Sequence, residues 1–369
     1  MEDTFYYYFL TCLWSLTPIR LHEIVDYYGG PKEFYEASEK DYEGIHKKTI
    51  QTILRTKSED SLLRNWENLR RDTVRFIPCN SPDYPKEFLQ LPDYPFGIYI
   101  EGKLPHELDP EGGRSPRIAV VGARNGTTYG RETAFRYAKE LAMSGCRIIS
   151  GLASGIDGAA HAGCLDGQGY TIGILGSGIH KIYPKENYKL YLSMRERGGI
   201  LSEYPPDLEP YAHLFPRRNR LISILADYVL VVEAKKKSGS LITVDYALEQ
   251  GKTVGAVPGR PCDVLSEGCN HLIRQGAACV TDACDVLEEL ADNPGFLTVR
   301  KDQVPVNLSL GLAQDEKKVY SVLRLEPQFV DDIITAIDFP VWKTVSILSE
   351  LEIKGVVRQD PHQFYYRIQ

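Results

Sequence analysis

The 369-residue sequence lacks an excess of positive charge: its 50 acidic residues outnumber its 43 basic ones, which gives a formal net charge of −7. A protein with this balance cannot attract a polyanion through its overall charge, so any polyanion site must gather basic residues in a patch. Hydrophobic residues at 43% and charged residues at 25% are typical of a globular protein. The length allows two or three domains.

Metal-binding and membrane signals are also missing. The 8 cysteines include no Cys-x-x-Cys pair, and the spacing of the closest group, Cys262, Cys269, Cys279 and Cys284, fits no common zinc site. We therefore expect reduced thiols, no metal and no other cofactor. No apolar run is long enough to span a bilayer, and the acidic start Met1-Glu2-Asp3 is unlike a secretory signal. We expect a cytoplasmic protein with no membrane partner.

The pattern of apolar residues changes along the chain and predicts four segments. Residues 1–75 show helical spacing and predict a small helical domain, loosely like a helix-hairpin-helix or SAM module, for partner docking or packing. Residues 76–291 form the main domain, and 292–308 read as a linker. Residues 309–369 predict a winged helix, with a two-stranded wing at Val356-Val357-Arg358 and Phe364 to Arg367. Such a module contacts either DNA or protein.

Within the main domain, short apolar runs alternate with glycine loops and helical spacing. This alternation predicts an α/β fold with a parallel sheet and helices on both faces. The expected strands are residues 96–100, 118–121, 147–150, 171–175, 200–202, 228–233, 253–257 and 278–281. Because ligands of such sheets bind at the carboxyl ends of the strands, the loops that follow the strands carry the candidate site.

The loop after the first parallel strand contains Gly122 and Arg124 and runs to Gly130. Its glycines would let backbone amides approach an anion at a helix start, and Arg124 can reach a phosphate or form a surface salt bridge. The spacing is not Gly-x-Gly-x-x-Gly, and no acidic residue closes the second strand, so NAD binding is not expected. In the next loop, Asp157 is expected to cap a helix and to pair with His161.

Three further loops carry candidate phosphate contacts. Gly176 and Gly178 precede Lys181 and Lys185, which suits phosphate binding, while Tyr183-Pro184 offers either a stacking face or a rigid turn. The segment after the fifth expected strand holds Phe215, Arg217, Arg218, Asn219 and Arg220. Phe215 could stack on a base or pack on the sheet, and one arginine could pair with Glu203. Ser238, Gly239 and Ser240 stand at a helix start that suits a phosphate.

Taken in order, these loops resemble the DprA/Smf family of DNA-processing proteins. The resemblance covers about residues 80–290 and is carried by ordered motifs: Val121-Gly122-Ala123-Arg124, Ser150-Gly151-Leu152-Ala153, Gly155-Ile156-Asp157, Gly176-Ser177-Gly178, Phe215-Pro216-Arg217-Arg218-Asn219-Arg220, Ser238-Gly239-Ser240-Leu241-Ile242-Thr243 and Gly268-Cys269-Asn270-His271.

The resemblance implies an extended Rossmann-like fold and a homodimer that binds single-stranded DNA. It also implies a recombination mediator that protects incoming strands and helps to load the RecA recombinase during natural transformation. Arg124 and the Arg217–Arg220 cluster are the DNA contacts that it implies. For dimerisation, the helix near Val286, Leu287 and Leu290 offers an apolar face, unless the chain's own core buries it. The alternative is a nucleotide-processing enzyme, a phosphoribohydrolase, although the glycine pair of that group's loop is missing at Ser238-Gly239-Ser240.

Overall fold

The computed structural model describes residues 2–42, 45–109, 113–291, 296, 313–324, 327–359 and 364–367. The chain forms two compact units, Met1–Val304 and Pro305–Gln369. The predicted linker, residues 292–308, lies outside the described residues apart from Phe296.

The first unit begins with helices that share an aromatic core. Phe5, Phe9 and Phe34 are buried, and the Tyr35 ring meets the rings of Phe5 and Phe9 edge-on at centroid distances of 5.4 and 5.0 Å. Such edge-on pairs add to the free energy gained from burying the rings. The helices are α1 (Asp3–Cys12), α2 (Pro18–Tyr27), α3 (Pro31–Glu36), α4 (Lys47–Ser58) and α5 (Asp60–Leu69).

These helices pack directly on the sheet of the same unit. Tyr99 of the sheet is fully buried, and its hydroxyl lies 2.6 Å from the hydroxyl of Thr11 in a hydrogen bond. One cluster of buried side chains contains Leu10 from α1 together with Leu175 and Ile200 from the sheet. Packing therefore does not separate the helices from the sheet, and the domain boundary near residue 75 stays a prediction.

The sheet of the first unit has nine strands and is mostly parallel, as the sequence predicts. The strands are β1 (Arg75–Pro78), β2 (Gly97–Gly102), β3 (Arg117–Val121), β4 (Arg147–Ser150), β5 (Thr171–Leu175), β6 (Gly199–Ser202), β7 (Tyr228–Val231), β8 (Thr253–Ala256) and β9 (Ala278–Cys279). Their spatial order is β1-β2-β6-β5-β4-β3-β7-β8-β9. Strands β3 to β9 pair in parallel, while β1 and β2 add an antiparallel edge beside β6. The short strand β1 has too brief an apolar pattern to be recognised from sequence.

Helices cover both faces of the parallel strands. Along β3, Ile118 and Val120 face one buried cluster, and Ala119 and Val121 face the other, because side chains alternate along a strand. The covering helices are α6 (Thr128–Met143), α7 (Ile156–Asp166), α8 (Tyr188–Arg197), α9 (Leu214–Leu225), α10 (Gly239–Glu249), α11 (Glu267–Arg274) and α12 (Ala283–Ala291).

One of these helices decides between the two alternatives left open for its apolar face, dimerisation and burial in the chain's own core. Val286, Leu287 and Leu290 of α12 lie in the chain's own core, at 0%, 0% and 6% exposure. They therefore do not form a free apolar face. Helical spacing in the sequence shows that an apolar stripe exists but does not tell which surface covers it.

The side of the sheet on which the chain adds its next strand changes at β3. From β3 the chain continues to β4 on one side, and it returns later to place β7 on the other side. Strands β3 and β7 therefore form a topological switch point, where the loops that leave neighbouring strands diverge and open a crevice at the carboxyl ends.

The second unit has the winged-helix order that the sequence predicts. Its elements are α13 (Gln314–Val322), β10 (Gln328–Phe329), α14 (Val330–Thr335), α15 (Val341–Ile353), β11 (Val357–Gln359) and β12 (Phe364–Arg367). The sheet order is β10-β12-β11, with β11 and β12 antiparallel as the wing. Val319, Ile333, Leu348 and Leu351 close its core.

The described part of the chain contains no helix that is both long enough and apolar enough to cross a membrane. It also contains no group of three or more His, Cys, Asp or Glu side chains arranged to hold a metal ion. The 8 cysteines all fall within the described residues and carry free thiols.

Candidate functional site

A cleft of about 850 Å³ opens at the switch point. It lies at the carboxyl ends of β3 and β7, and the first turns of α9 and α10 form its sides. Eight of the site residues expected from the sequence line it: Gly122, Arg124, Phe215, Arg218, Asn219, Ser238, Gly239 and Ser240. Gly176, Gly178, Lys181, Lys185, Arg217 and Arg220 do not line it.

The lining is positively charged although the protein as a whole is acidic. Arg124, Arg218, Lys235 and Lys237 line the cleft, and Asp157 is the one carboxylate among the described lining residues. Arg124 and the two lysines are exposed at the mouth. A cleft lined by one sign of charge focuses the electrostatic potential and attracts counter-ions of the opposite sign. The geometry therefore favours an anionic ligand.

A run of lysines is usually just a solvated surface, so local pattern alone does not single out Lys235 and Lys237. Their position in the loop that follows buried strand β7 is the signal that could have found them.

The guanidinium of Arg218 is fixed at the floor of the cleft. Its side chain is buried, and Nη1 donates to the carbonyl of Gly151 at 2.8 Å and also to the carbonyl of Ile174. Nε donates to Oδ1 of Asn219 at 3.2 Å. Burial lowers the pKa of Arg218 to about 10, so the group stays charged at neutral pH. It supplies a fixed positive charge to the cleft.

Asp157 lies beside this guanidinium, and it does not cap the helix as the sequence predicts. Helix α7 begins at Ile156, so Asp157 lies inside the first turn, and its Oδ2 accepts from the backbone N–H of Gly151 at 3.1 Å. Burial raises the pKa of Asp157. The expected pairing with His161 is wrong: His161 Nδ1 lies 2.6 Å from the hydroxyl of Thr171, and burial lowers the pKa of His161 to about 3.

An aromatic wall stands beside the positive charges. The Phe215 ring lies 4.8 Å from Cζ of Arg124 and 5.6 Å from the ring of Tyr183. Arg124 thus lies over the face of Phe215, an arrangement in which the ring attracts the cation. Tyr183 is 45% exposed and presents its ring to the cleft. Flat rings beside cations suit a ligand that has both π-faces and phosphates.

The starts of α6 and α10 differ in whether an anion could approach their backbone N–H groups. At the start of α6, the carboxylate of Glu233 already accepts from the backbone N–H and the hydroxyl of Thr127, at 2.8 and 2.5 Å. Gly130 leaves room for it, because a Cβ there would lie 2.2 Å from the Glu233 carboxyl carbon. The expectation that this helix start receives a ligand phosphate is therefore wrong, since Glu233 takes its place.

The start of α10 is open. Ser238 is the N-cap residue, with its hydroxyl 2.7 Å from that of Ser240, and a Cβ added at Gly239 would meet nothing within 4 Å. Asn219 braces this turn by donating to the Gly239 carbonyl at 3.1 Å. A helix start with open space in front of it is a ready site for an anion.

Gly176 and Gly178 allow close packing and do not line the cleft. A Cβ at Gly176 would lie 2.7 Å from the Phe215 ring, and one at Gly178 would lie 2.2 Å from the carbonyl oxygen of Pro206. Gly176 therefore acts indirectly, since it lets Phe215 approach the sheet edge. The expected phosphate role of the two glycines is not supported by this geometry.

The two lysines that follow these glycines lie outside the cleft. Lys181 forms a surface ion pair with Glu209 at 2.7 Å, and Lys185 is exposed. Contact of either lysine with a ligand stays a prediction.

The arginine cluster divides into two groups. Arg217 and Arg220 lie on the face of α9 that turns away from the cleft. Arg217 Nη1 donates to the carbonyls of Trp14 and Leu16 at 3.3 and 3.5 Å.

Arg220 is buried, and its guanidinium binds both oxygens of Glu203 at 3.0 and 2.8 Å and Oδ2 of Asp93 at 2.7 Å. The expected pairing of one arginine with Glu203 is confirmed. The expected ligand contact through Arg220 is corrected, because its donors are engaged in the interior.

This buried ion pair shifts the pKa of both partners. Burial alone would raise the pKa of Glu203, but the charges of Arg220 and Arg217 outweigh it, so its pKa lies below the usual value. Burial would lower the pKa of Arg220, but Glu203 and Asp93 hold it above its usual value. Each charge thus depends on the other, as expected for a buried bidentate pair.

The fold and the cleft define an α/β protein with a positively charged crevice at the switch point of its sheet. Residues 75–291 match the family model described as DNA recombination-mediator protein A, and residues 305–363 match the DprA winged helix domain. The chain belongs to the DNA recombination-mediator protein A family.

Its relatives include two Smf proteins of similar length. Protein Smf of Escherichia coli (strain K12) is 39% identical over 301 residues, which cover 79% of this chain and 77% of that protein. Protein Smf of Synechocystis sp. is 32% identical over 358 residues, which cover 89% of this chain and 88% of that protein.

Two solved structures are also similar. The X-ray structure of DNA processing protein A from Streptococcus pneumoniae has a TM-score of 0.65 at 31% identity, covering 78% of this chain and 99% of that one. A structure that addresses the unique single-stranded DNA binding mode of DNA processing protein A from Helicobacter pylori has a TM-score of 0.52 at 30% identity, covering 59% and 95%.

Replacing Arg220 with alanine should destabilise the fold strongly. The change leaves the carboxylates of Glu203 and Asp93 without their cation in the interior, which costs about 3–5 kcal/mol for a broken buried pair. Urea unfolding of the full chain measures the loss in the free energy of unfolding. Arg55→Ala, which breaks only an exposed pair with Glu59, is the control and should change stability by less than about 1 kcal/mol. If Arg220→Ala and Arg55→Ala lower the free energy of unfolding by similarly small amounts, the conclusion that Arg220 neutralises carboxylates in the interior is contradicted.

Glu203 should also make stability depend on pH at the acidic end. Its pKa is lower in the folded chain than the usual value of 4.5. Its contribution is therefore complete above about pH 4.5 and is lost as the pH falls through the folded pKa. In Glu203→Gln, the free energy of unfolding should fall less steeply between neutral and acid pH than in the parent. If the free energy of unfolding changes with pH equally in the parent and in Glu203→Gln, Glu203 is not a source of the pH dependence of stability.

Proposed function

We propose that this chain binds single-stranded DNA in the switch-point cleft and acts as a recombination mediator. One observation carries the proposal: four cationic side chains, an open helix start and an aromatic wall converge on one crevice of an acidic protein. Family membership and the single-stranded DNA binding mode of the Helicobacter pylori relative support the choice of ligand.

The cleft suits a single strand because that ligand offers phosphates and unpaired bases together. Arg218 supplies a fixed charge at the floor, while Arg124, Lys235 and Lys237 can move at the mouth to meet successive phosphates. Phe215 and Tyr183 offer ring faces, on which any base can stack. Phosphate contacts carry no base information, so sequence preference should be small.

A binding role without catalysis is part of the proposal. Asp157, the one carboxylate among the described lining residues, has its Oδ2 engaged with the backbone N–H of Gly151 at 3.1 Å. Glu233 is engaged with Thr127 at the start of α6. Within the described part of the chain, no specific contact favours the phosphoribohydrolase alternative.

Removing cations from the mouth should weaken binding and reduce its dependence on salt. In Arg124→Ala/Lys237→Ala, the slope of log affinity against log salt should become less steep by about 0.7 for each phosphate that the variant no longer neutralises. Filter binding of an oligothymidylate at several salt concentrations measures the slope.

A matched control removes two exposed cations that do not line the cleft. Lys32→Ala/Arg55→Ala changes the net charge by the same amount from α3 and α4. It should leave the slope nearly as in the parent. If both double variants reduce the slope equally, general charge and not the cleft attracts the DNA.

We further propose that the bound strand, including strands taken up during natural transformation, is passed to a RecA recombinase. In strand exchange on DNA already covered by single-strand-binding protein, the parent chain should shorten the lag, and Arg124→Ala/Lys237→Ala should not. Lys32→Ala/Arg55→Ala serves again as control. An unchanged lag with the parent chain would reject the mediator role and leave DNA binding standing.

We also propose a homodimer in solution. Family membership supports it, and sedimentation velocity of the full chain tests it.

A further inference from the structure

A second group of aromatic side chains lies at the rim of the cleft, apart from Phe215 and Tyr183. The rings of Trp14 and Tyr211 are stacked, with centroids 5.4 Å apart and planes 13° from parallel. The ring of His213 continues the stack at 6.0 Å and 28°. Tyr211 is 44% exposed, His213 is exposed and Trp14 is half-buried. Three flat side chains from two distant parts of the sequence thus meet at the surface.

The stack adjoins the cleft. Tyr211 stands between Pro210 and Ala212, which both line the cleft, and His213 is two residues before Phe215 of the aromatic wall. A ligand that leaves the cleft over this segment therefore reaches the ring of Tyr211 next.

Trp14 reaches the rim from the connection between α1 and α2. Arg217 holds that connection in place by donating to the carbonyls of Trp14 and Leu16. The buried residue Arg220, one turn further along α9, anchors the same face of the helix. Arg217, which does not line the cleft, therefore helps to fix the position of Trp14.

The carboxylates on this rim have partners. Glu209 pairs with Lys181 at 2.7 Å, and Asp207 lies 3.2 Å from Nδ1 of His180, whose Nε2 lies 2.9 Å from Asp72. A polyanion that reaches the rim therefore meets the Glu209 carboxylate already paired with a lysine, which reduces the repulsion it would otherwise experience.

We propose that the Trp14–Tyr211–His213 stack is a second base-stacking site, which extends the path of the single strand from the cleft onto the N-terminal helices. The inference rests on the proposed function. Its ligand is the unpaired base of a strand whose neighbouring phosphates occupy the cleft, and any base is accepted because every base has a π-face. A contact that served stability alone would gain more by burying these rings, because burial supplies most of an aromatic side chain's stabilising energy.

Tyr211→Ala in the full chain should weaken binding only of strands long enough to reach the rim. With labelled oligothymidylates from about 4 to about 16 nucleotides, fluorescence anisotropy should show little change for the shortest strands. The longest should lose about fivefold in affinity, which corresponds to about 1 kcal/mol. Tyr27→Ala is the matched control, because Tyr27 is an exposed tyrosine on α2 that does not line the cleft.

Trp14 provides a direct readout of the same event. The chain has three tryptophans, Trp14, Trp66 and Trp342, so a Trp66→Phe/Trp342→Phe background leaves Trp14 as the reporter. Long strands should quench its fluorescence, and the shortest should not. The anisotropy test does not use this background and stands by itself if the background folds poorly.

Three results would overturn the inference in distinguishable ways. Unchanged affinity at every length, with Trp14 unquenched and the parent still binding, would reject the second stacking site and leave the proposed function. A loss that is equal at all lengths and accompanied by a lower melting temperature would assign the stack a purely structural role. Failure of the parent to bind any strand would reject the proposed function, and this inference with it.

Discussion

The parallel pairing of β3 with β7 is the constraint on which the site depends. It brings the loop that carries Arg124 and the loop that carries Lys235 and Lys237 to one edge of the sheet, although about 110 residues separate them in the chain. Because the chain leaves β3 toward β4 and returns through β7, these loops diverge and leave a crevice between them. The charge of the cleft therefore follows from the topology of the sheet, within a chain whose net charge is −7.

Helix α9 distributes its arginines according to helical geometry. Residues three apart share a face, so Arg217 and Arg220 lie together, while Arg218 points to the floor of the cleft. Arg220 neutralises Glu203 and Asp93 in the interior, and Arg217 reaches the connection between α1 and α2. One short segment thus supplies both a charge for the ligand site and the contacts that attach the N-terminal helices to the sheet.

The two helix starts differ in whether a carboxylate of the chain already occupies them. Glu233 occupies the start of α6, where a dinucleotide-binding protein places its pyrophosphate, and it does so with hydrogen bonds to Thr127. Among the residues that the structure describes, no carboxylate accepts a hydrogen bond from the start of α10, and Gly239 keeps it open. The helix start that stays open is therefore the one that follows β7, and the one in the first loop of the parallel sheet is closed. The open start faces Phe215 and the rim that carries Tyr211.

The alternation of apolar runs and glycine loops was enough to predict the parallel sheet and its helices, and the apolar pattern of residues 309–369 was enough to predict the winged helix. Buried strands and amphipathic helices leave such local, periodic patterns. The position of Arg124 and Ser238 after strands was enough to place them at one edge. The burial of Arg220, the occupation of the α6 start by Glu233 and the packing roles of Gly176 and Gly178 were decided only by the tertiary structure. Each of these depends on a partner distant in sequence (Asp93, Thr127, Phe215 and Pro206), and local pattern carries no information about which side chains meet across the fold.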